Sequence, residues 1–415
     1  MIGIFKTKYN SKDYYQLAFK TKIYPTEEQI KYFNCCFGIA RFAYNWYLDE
    51  AEKYYKLNGK NPSYITMRSL FGDMAKTNPK YWFIYSTVNS RVWQQALGNA
   101  KIAYNMWFND VNNKPKKHKK RDSKQSFSTE RCTIKKYNKF YIAGIQNIGL
   151  KTTKRTGYNI KTAEDISFLK NVTITKVTIS YNGVNYFASF RYRILKTEFY
   201  ENDKKLERFY HPRKPIVGID LGLKIYAVQS DGKVAIFPKK KILELERRIN
   251  RLNQILSKKY NKNKKAYEQS KNYYRVKTKL NKLYKKKTNI TNDFLDKYTT
   301  WLVTHYQVIK IEDLKIKNMI KNHKLAKAIS RCCFFRFRCM LDYKCKLYGS
   351  QLIIIDQFYP SSKLCYCCGN KKQKLSLGER KYICEKCGHE MDRDYNAALN
   401  IMEWTEEKNI KNKAN

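Results

Sequence analysis

The sequence CYCCG, from Cys365 to Gly369, and the sequence CEKCG, from Cys384 to Gly388, each contain a C-x-x-C pair, and residues 369–383 lie between the two pairs. Four thiolates at this spacing fill the tetrahedral shell of a zinc ion and leave no open position. The glycine after each pair permits the tight turn of a zinc knuckle. The sequence therefore predicts a structural Zn²⁺ site whose ligands are Cys365, Cys368, Cys384 and Cys387.

Two neighbouring side chains offer alternative zinc ligands. Cys367 could replace Cys368, and His389 could replace Cys387. Because the two-residue gap lets both sulfurs of a pair face one ion, we favour the regular pairs and expect Cys367 to be unused.

Three carboxylates occur where a divalent metal site needs them. Asp220 ends the apolar run that begins at Ile216, Glu312 follows the apolar run from Val308 to Ile311, and Asp394 opens a helix. Strand ends and a helix start can converge in space. Clustered carboxylates bind two Mg²⁺ ions about 4 Å apart, which suits phosphodiester hydrolysis. Each acid also has an ordinary explanation, as a turn cap, an exposed strand-end charge or a helix N-cap.

The composition indicates a polyanionic partner. Lys and Arg number 84 against 35 Asp and Glu in 415 residues, which gives a net charge of +49. The positive charge is spread along the whole chain, so a nucleic acid would touch several faces. With 35 Tyr and 21 Phe, rings interleaved with basic residues suit stacking on unpaired bases, although most rings should belong to the core.

The sequence lacks the features of a membrane or secreted protein. No run approaches the roughly 18 apolar residues of a membrane helix, and the segment before Lys8 is too short and basic for a secretory signal. The eight cysteines outside the two pairs form no disulfide pattern and read as small hydrophobes. We therefore expect an intracellular protein.

In the first half of the chain, the pattern predicts a β module interrupted by helices. A strand is predicted over Tyr15–Tyr24, with Thr26 and Gln29 at capping-box spacing before a helix from Glu27 to Tyr55. A second helix is predicted from Thr87 to Phe108. The basic segment from Lys114 to Lys124 reads equally as a solvated loop or as a phosphate contact. Short β runs follow, with a hairpin at Asn182-Gly183.

In the second half, the pattern predicts an α/β layer fold. Strand runs occur at Ile216–Asp220, Ile225–Gln229 and Val234–Phe237, and strand character returns at Val308–Ile311 and Leu352–Ile355. A Lys-rich helical hairpin lies between these two groups, and a helical segment is predicted around residues 326–348. Helices against a mixed sheet would result.

At these positions the chain resembles TnpB, the nuclease carried by bacterial and archaeal insertion sequences, and the miniature type V CRISPR effectors related to it. The resemblance begins at Ile23-Tyr24-Pro25-Thr26, and Gly218-Ile219-Asp220-Leu221-Gly222 and Ile311-Glu312-Asp313-Leu314 resemble the first two RuvC motifs. Its most specific part is the end, with Phe358 to Lys363, the cysteine pairs, and Asp392 to Ala398, which resembles the third motif.

The resemblance implies that Asp220, Glu312 and Asp394 are catalytic carboxylates of an RNase H-like fold, with Asp392 as the alternative to Asp394. It implies an α/β and α+β multidomain chain. The expected parts are a β-barrel-like wedge module (1–25 and 113–214), a helical recognition insertion (26–112), a RuvC-like nuclease domain (215–364) with a basic helical hairpin (241–294), a zinc ribbon (365–388), the third motif (389–406) and a tail (407–415).

The function implied by the resemblance is that of a transposon-associated, RNA-guided DNA endonuclease with catalytic Mg²⁺ and structural Zn²⁺. Its partners would be a guide RNA and double-stranded target DNA with a short adjacent motif. No membrane would be involved, and the protein would be located in the cytoplasm of a prokaryote, in association with the nucleoid. The chain departs from the family in the third cysteine of the first pair and in Cys332-Cys333, where related chains often carry Gly-Trp. Neither departure touches the three acids.

Three other readings stay open. A compact type V CRISPR effector would share every residue named above, and an RNA-guided repressor without cleavage would have no reason to keep all three acids. A DNA-binding zinc-ribbon protein or transposase would carry no guide RNA. No residue of the sequence indicates the oligomeric state.

Overall fold

The computed structural model of the chain describes residues 13–109, 113–120, 122, 124–130, 132–135, 138–143, 157–202, 213–261, 263, 269–376 and 378–406. The described residues fall into two units, one within Met1–Asn202 and Tyr260–Thr278, the other within Asp203–Lys259 and Lys279–Asn415. The expected tail, 407–415, lies outside the described residues, as does the start of the expected wedge module. The finer domain boundaries stay a prediction.

The first unit opens with a strand and a long helix, as predicted. Strand β1 (Tyr14–Tyr24) leads into helix α1 (Glu27–Asn58). The capping box is present, because the Thr26 hydroxyl accepts from the Gln29 backbone N–H and the Gln29 side chain accepts from that of Thr26. The helix ends three residues later than predicted, at Gly59 in the left-handed conformation.

Three further helices pack with α1. They are α2 (Tyr64–Thr77), α3 (Phe83–Thr87) and α4 (Ser90–Phe108). Helix α4 starts later than predicted because Asn89 caps it, with its side chain accepting from the Arg91 N–H. One face of α4 belongs to the core: Trp93, Leu97, Ala100 and Tyr104 are buried, and Trp107 is partly buried against them.

A seven-stranded antiparallel sheet completes this unit. Its strands after α4 are β2 (Gln125–Thr129), β3 (Cys132–Ile134), β4 (Lys139–Ala143), β5 (Gly157–Thr162), β6 (Thr173–Tyr181) and β7 (Tyr186–Leu195), and helix α5 (Lys196–Asn202) follows. The order is β2-β6-β7-β1-β5-β4-β3. Strand β1, which precedes the helices in sequence, thus pairs with two strands that follow them. Barrel-like closure stays a prediction.

The predicted hairpin joins β6 and β7, but its turn is longer than the Asn-Gly pair alone. Tyr181 pairs with Tyr186, so the loop has four residues. The Asn182 side chain accepts from the backbone N–H groups of Val184 and Asn185, and Gly183 takes a positive φ of 82°. The side-chain hydrogen bonds of Asn182 therefore replace the expected two-residue turn.

The second unit contains the predicted mixed sheet. Its strands are β8 (Lys214–Leu221), β9 (Ala227–Gln229), β10 (Val234–Ala235), β11 (Tyr306–Glu312) and β12 (Gln351–Ile355), in the order β10-β9-β8-β11-β12. Strand β9 runs antiparallel to β8 and β10, whereas β8, β11 and β12 run parallel to one another. Strands β9 and β10 are shorter than predicted.

The helices from residue 239 onward follow the prediction in part, since the basic hairpin continues past its expected end at residue 294 to His305 and a short helix at residues 316–319 was not predicted. They are α6 (Lys239–Lys259), α7 (Lys271–His305), α8 (Ile316–Met319), α9 (His323–Cys332), α10 (Phe334–Tyr348) and α11 (Arg393–Glu403). The single helical segment expected around residues 326–348 is two helices, because Cys333 takes the left-handed conformation with φ 53°. That conformation is unfavourable for a residue other than glycine.

A buried ion pair joins the basic hairpin to α9. Glu246 of α6 is 8% exposed and contacts Lys287 of α7 at 2.7 Å and Arg331 of α9 at 2.8 Å. Burial acts to raise the pKa of Glu246, but the hydrogen bonds from these two cations hold it below its ordinary value. The polar contact therefore fixes the packing of three helices.

Candidate functional site: a carboxylate cluster beside a four-cysteine centre

The structure brings the four predicted cysteines together. The Sγ atoms of Cys365, Cys368, Cys384 and Cys387 all lie within 4.8 Å of one another. Cys365 and Cys387 are 3.7 Å apart, and Cys368 and Cys384 are 3.5 Å apart. Tetrahedral Zn–S bonds of about 2.3 Å place two sulfurs roughly 3.8 Å apart. The donor set and its dimensions therefore fit a zinc ion, and neither Cys367 nor His389 belongs to the group.

Two knuckle turns hold these sulfurs. Gly369 and Gly388 adopt positive φ values of 70° and 69°, and their N–H groups donate to the carbonyls of Cys365 and Cys384. A bridge between Leu364 and Lys371 flanks the first knuckle, and the hairpin of β13 (Lys381–Ile383) and β14 (Glu390–Asp392) flanks the second. Backbone hydrogen bonds, chiefly from Cys387, lower the pKa of Cys384, whereas burial raises the pKa of Cys365.

Asp220 lies near the carboxyl end of β8, in the middle of the mixed sheet. The strand reaches α11 directly, since a Cβ atom at Gly218 would lie 2.2 Å from the carbonyl oxygen of Ala398. Only glycine permits this approach, which brings the helix that carries Asp394 against the strand that carries Asp220. The two motifs that are furthest apart in the sequence are therefore adjacent in the fold.

The Asp220 carboxyl is surrounded by other acids. Burial raises its pKa to about 8, and the nearby carboxylates of Glu312 and Asp394 add to the rise, against a smaller opposing effect of Arg393. The Glu312 and Asp394 carboxylates therefore lie close enough to Asp220 to disfavour its ionised form. A cation bound among them would relieve this repulsion.

Glu312 is the last residue of β11, the strand between β8 and β12. Burial raises the pKa of Glu312, and a hydrogen bond from the Ser361 hydroxyl acts in the opposite direction. Because β8 and β11 are parallel neighbours, their carboxyl ends meet at one edge of the sheet. Glu312 and Asp220 therefore share that edge.

Asp394 lies in the first turn of α11, and Asp392 is the residue that caps this helix. The Asp392 side chain accepts from the N–H groups of Asp394 and Tyr395, both at 3.0 Å. The capping role considered for Asp394 is thus filled by its neighbour. The Asp394 carboxylate is left with one long contact, 3.5 Å to Arg380, and remains available to a metal.

These oxygen donors fit Mg²⁺. Hard divalent cations bind carboxylate oxygens, and the effect of Glu312 and Asp394 on the pKa of Asp220 makes these three acids neighbours. Asp220 and Glu312 lie at the carboxyl ends of the neighbouring parallel strands β8 and β11, and this placement supports the fit.

Sequence reasoning missed the side chains that hold this cluster in place. Lys310 of β11 donates to the carbonyls of Met402 at 2.8 Å and Trp404 at 2.6 Å, at the carboxyl end of α11. Asn396 and Asn400 of α11 are buried and donate to the chain next to the first knuckle. Two asparagines four residues apart in an apolar helix were the available signal, because buried amides require partners.

In the first unit, the basic segment after α4 is held against α1. Asn45 exchanges two hydrogen bonds with the backbone of His118, at 2.8 and 2.9 Å, and Lys114 and Lys117 form ion pairs with acids of α1. The side chains of Lys116, Lys119, Lys120 and Lys124 are exposed. The described part of this segment is an exposed loop with a few contacts to α1, which agrees with a solvated loop, and the phosphate contact stays a prediction.

The described helices include none that is long and apolar enough to cross a membrane. The chain is thus a basic protein with a mixed α/β unit that contains a four-cysteine centre.

Three family models match parts of the chain. The "Probable transposase" model matches residues 200–323, "Cas12f1-like, TNB domain" matches 334–401, and "Helix-turn-helix domain" matches 15–60. The last match covers β1 and α1, which the structure describes as one strand and one continuous helix.

Several curated proteins are similar over long stretches. A "Putative RNA-guided DNA endonuclease" of Streptomyces pristinaespiralis is 29% identical over 386 residues, which are 93% of this chain and 88% of that protein. "Putative RNA-guided DNA endonuclease InsQ" of Escherichia coli K12 is 25% identical, over 93% of this chain and 91% of that protein. "TnpB-like protein L79" of Acanthamoeba polyphaga mimivirus is 30% identical over 38% of this chain and 29% of that protein.

Solved structures share the fold. The Cas12f1 chain of a Cas12f1-sgRNA-target DNA complex aligns with a TM-score of 0.54 and 15% identity, over 91% of this chain and 83% of that one. The mini-RNA-guided endonuclease CRISPR-Cas_phi3 aligns with a TM-score of 0.52 and 11% identity, over 94% and 92%. The chain is therefore similar to RNA-guided DNA endonucleases and TnpB-like proteins, in agreement with the resemblance drawn from the motifs.

Proposed function

We propose that this protein is an RNA-guided DNA endonuclease of the transposon-associated TnpB type. The observation that carries the proposal is the placement of Asp220 and Glu312 at the carboxyl ends of two neighbouring parallel strands, with Asp394 close enough to raise the pKa of Asp220. The two relatives that match over more than nine tenths of this chain are both named as RNA-guided DNA endonucleases, which supports the same activity here.

The nuclease domain is proposed to be RuvC-like, with an RNase H-like fold. Three antiparallel strands, β10-β9-β8, continued by the parallel strands β11 and β12, support this assignment. The seven-stranded sheet of the first unit would be the wedge module, closed like a barrel, and α1 to α4 the recognition module that accompanies it.

Asp220, Glu312 and Asp394 would hold Mg²⁺. When two Mg²⁺ ions are bound, they activate a water molecule for attack on a phosphodiester and stabilise the departing 3′ oxygen. The strand of Asp220 is fixed against α11, the Ser361 hydroxyl donates a hydrogen bond to Glu312, and the Asp392 cap sets the helix start that presents Asp394. The protein thus supplies preorganised acid groups, and base pairing between the guide RNA and the target strand would select the DNA sequence.

Zinc would have a structural role, because its four thiolates leave no position for a substrate. The net charge of +49 gives the chain the electrostatic means to hold a guide RNA and a DNA duplex at once. The exposed lysines of the segment held on α1 are proposed to contact phosphates, since their backbone is fixed before any ligand binds.

The test is the separation of cleavage from binding in single variants. Asp220→Ala should abolish guided cleavage and leave guided DNA binding nearly unchanged, because it removes a metal ligand and no phosphate contact. Asp394→Asn should behave in the same way. Asp392→Asn is the matched control: it keeps a capping side chain, and we expect most of the cleavage rate to remain. Cleavage by Asp220→Ala at the wild-type rate would refute the metal assignment.

A further inference from the structure

The loop after β12 contacts two of the three acid-bearing elements. Ser361 lies in this loop, is 3% exposed, and donates a hydrogen bond from its hydroxyl to Oε1 of Glu312 at the end of β11. Its backbone carbonyl accepts from Nδ2 of Asn400, a residue of α11, at 2.8 Å. One residue therefore links the strand that carries Glu312 to the helix that carries Asp394.

The same loop is connected to the four-cysteine centre. The Leu364 carbonyl accepts from Asn396 at 2.7 Å and from Asn400 at 2.8 Å, and Asn396 in turn accepts from the N–H of Tyr366. Both asparagines are buried, at 0% and 5% exposure. Since buried amides that lose their partners are costly, this network holds the loop in one position.

We propose that Ser361 is a positioning residue of the nuclease site: its hydroxyl fixes the Glu312 carboxylate in the orientation that binds a divalent cation, and α11 fixes Ser361. This inference rests on the proposed function. A carboxylate at a strand end rotates about its side-chain bonds, and a charge-assisted hydrogen bond from a buried hydroxyl limits that rotation. Residues that orient metal ligands typically change metal affinity or activity by about 10-fold to 100-fold when they are replaced.

The variants separate orientation from packing. Ser361→Ala removes the hydroxyl, and Ser361→Thr keeps it. Ser350→Ala is the matched control, because the Ser350 hydroxyl donates to the carbonyls of Val303 and Tyr306 in the same unit and contacts none of the three acids. Ser361→Cys keeps the side-chain volume with a weaker donor and replaces Ser361→Ala if the latter does not fold.

The probe is Fe²⁺ in place of Mg²⁺, with ascorbate and hydrogen peroxide, applied to the full chain with its guide RNA. Hydroxyl radicals formed at bound iron cut the nearby backbone, and mass spectrometry maps the cuts without reference to DNA cleavage. We expect cuts close to Asp220, Glu312 and Asp394 in the wild-type protein. Ser361→Ala should need about tenfold more Fe²⁺ for the same cuts, and a similar rise in half-saturating Mg²⁺ for cleavage.

Backbone cuts in Ser361→Thr and Ser350→Ala should appear at the same Fe²⁺ concentration as in the wild-type protein, and the zinc content of both variants should be unchanged. Cuts in Ser361→Ala at the wild-type Fe²⁺ concentration would overturn the positioning role and leave the proposed function intact. The absence of cuts near the three acids in the wild-type protein would overturn the metal site itself, and the role of Ser361 with it.

Discussion

Replacing Gly218 with alanine tests how the acid-bearing elements are held together. A Cβ atom there would lie 2.2 Å from the carbonyl oxygen of Ala398 and 2.3 Å from the backbone nitrogen of Met402. Ordinary contact begins at 3.4 Å, so strand and helix must separate by about 1.2 Å at this point. Both obstructing atoms belong to the backbone of α11, and no side-chain rotation can relieve the clash.

Two effects should follow from that displacement. Overpacking of this kind costs about 1–3 kcal/mol of folding free energy, and we expect the upper end because a whole helix must move. A displacement of roughly 1 Å between catalytic groups also lowers the reaction rate by about 100-fold. The folded fraction of the variant should therefore cleave far more slowly than the loss of stability alone explains.

The assays are chemical unfolding of the full chain and single-turnover guided cleavage at saturating guide RNA. Gly98→Ala is the control, because a Cβ at this helical position meets only a ring carbon of Tyr64 at 3.8 Å. That substitution should raise stability by about 0.5–1 kcal/mol and leave cleavage unchanged. A Gly218→Ala protein as stable and as active as the wild type would refute the close approach of strand and helix.

Three further variants test separate features. Cys384→Ser should lower zinc content and thermal stability together, whereas Cys367→Ser should change neither; a folded, zinc-free Cys384→Ser protein with full activity would contradict the site. Glu246→Gln should cost about 2 kcal/mol at neutral pH against no more than about 0.5 kcal/mol for the exposed Asp293→Asn, as measured by urea unfolding. The pKa of Glu246 is lower in the folded protein than its ordinary value. The stability that the ionised carboxylate contributes should therefore be fully present above the ordinary pKa, and it should be lost as the pH falls through the lowered pKa. Cys333→Gly should raise the melting temperature by relieving about 1 kcal/mol of left-handed backbone strain, and an unchanged or lower melting temperature would count against that strain.

The sequence predicted those parts of the fold whose signals are local. Thr26 and Gln29 predicted the start of α1, and the two C-x-x-C pairs predicted the four sulfurs that the structure brings together. Both signals depend on residues a few positions apart, where spacing determines geometry. The positions of Asp220 and Glu312 at strand ends were equally accessible, because each ends an apolar run.

Other features depend on contacts that the sequence does not encode locally. The helical segment expected around residues 326–348 contains no glycine or proline, so its own residues do not indicate the break at Cys333. Asp392 and Asp394 are equivalent candidates in the sequence, and only the observed start of α11 makes one of them the cap. The contact of Ser361 with Glu312 joins residues 49 positions apart in the chain, beyond the reach of any motif spacing.

The basic segment after α4 gives a further example. Its composition suits a solvated loop, yet a single asparagine in α1 holds the backbone of His118 with two hydrogen bonds. Nothing in the charge pattern of Lys114 to Lys124 indicates this contact, because it is made by a residue more than seventy positions earlier.

The central claim is tested most directly by expressing the protein with the DNA that flanks its gene and purifying it with any bound RNA. That RNA is sequenced, and Mg²⁺-dependent cleavage is assayed on a duplex that matches it and on a scrambled duplex. The account predicts bound RNA, cleavage of the matching duplex alone, and loss of cleavage in Asp220→Ala. A protein that purifies without RNA, or that holds RNA and cuts neither duplex, would contradict it.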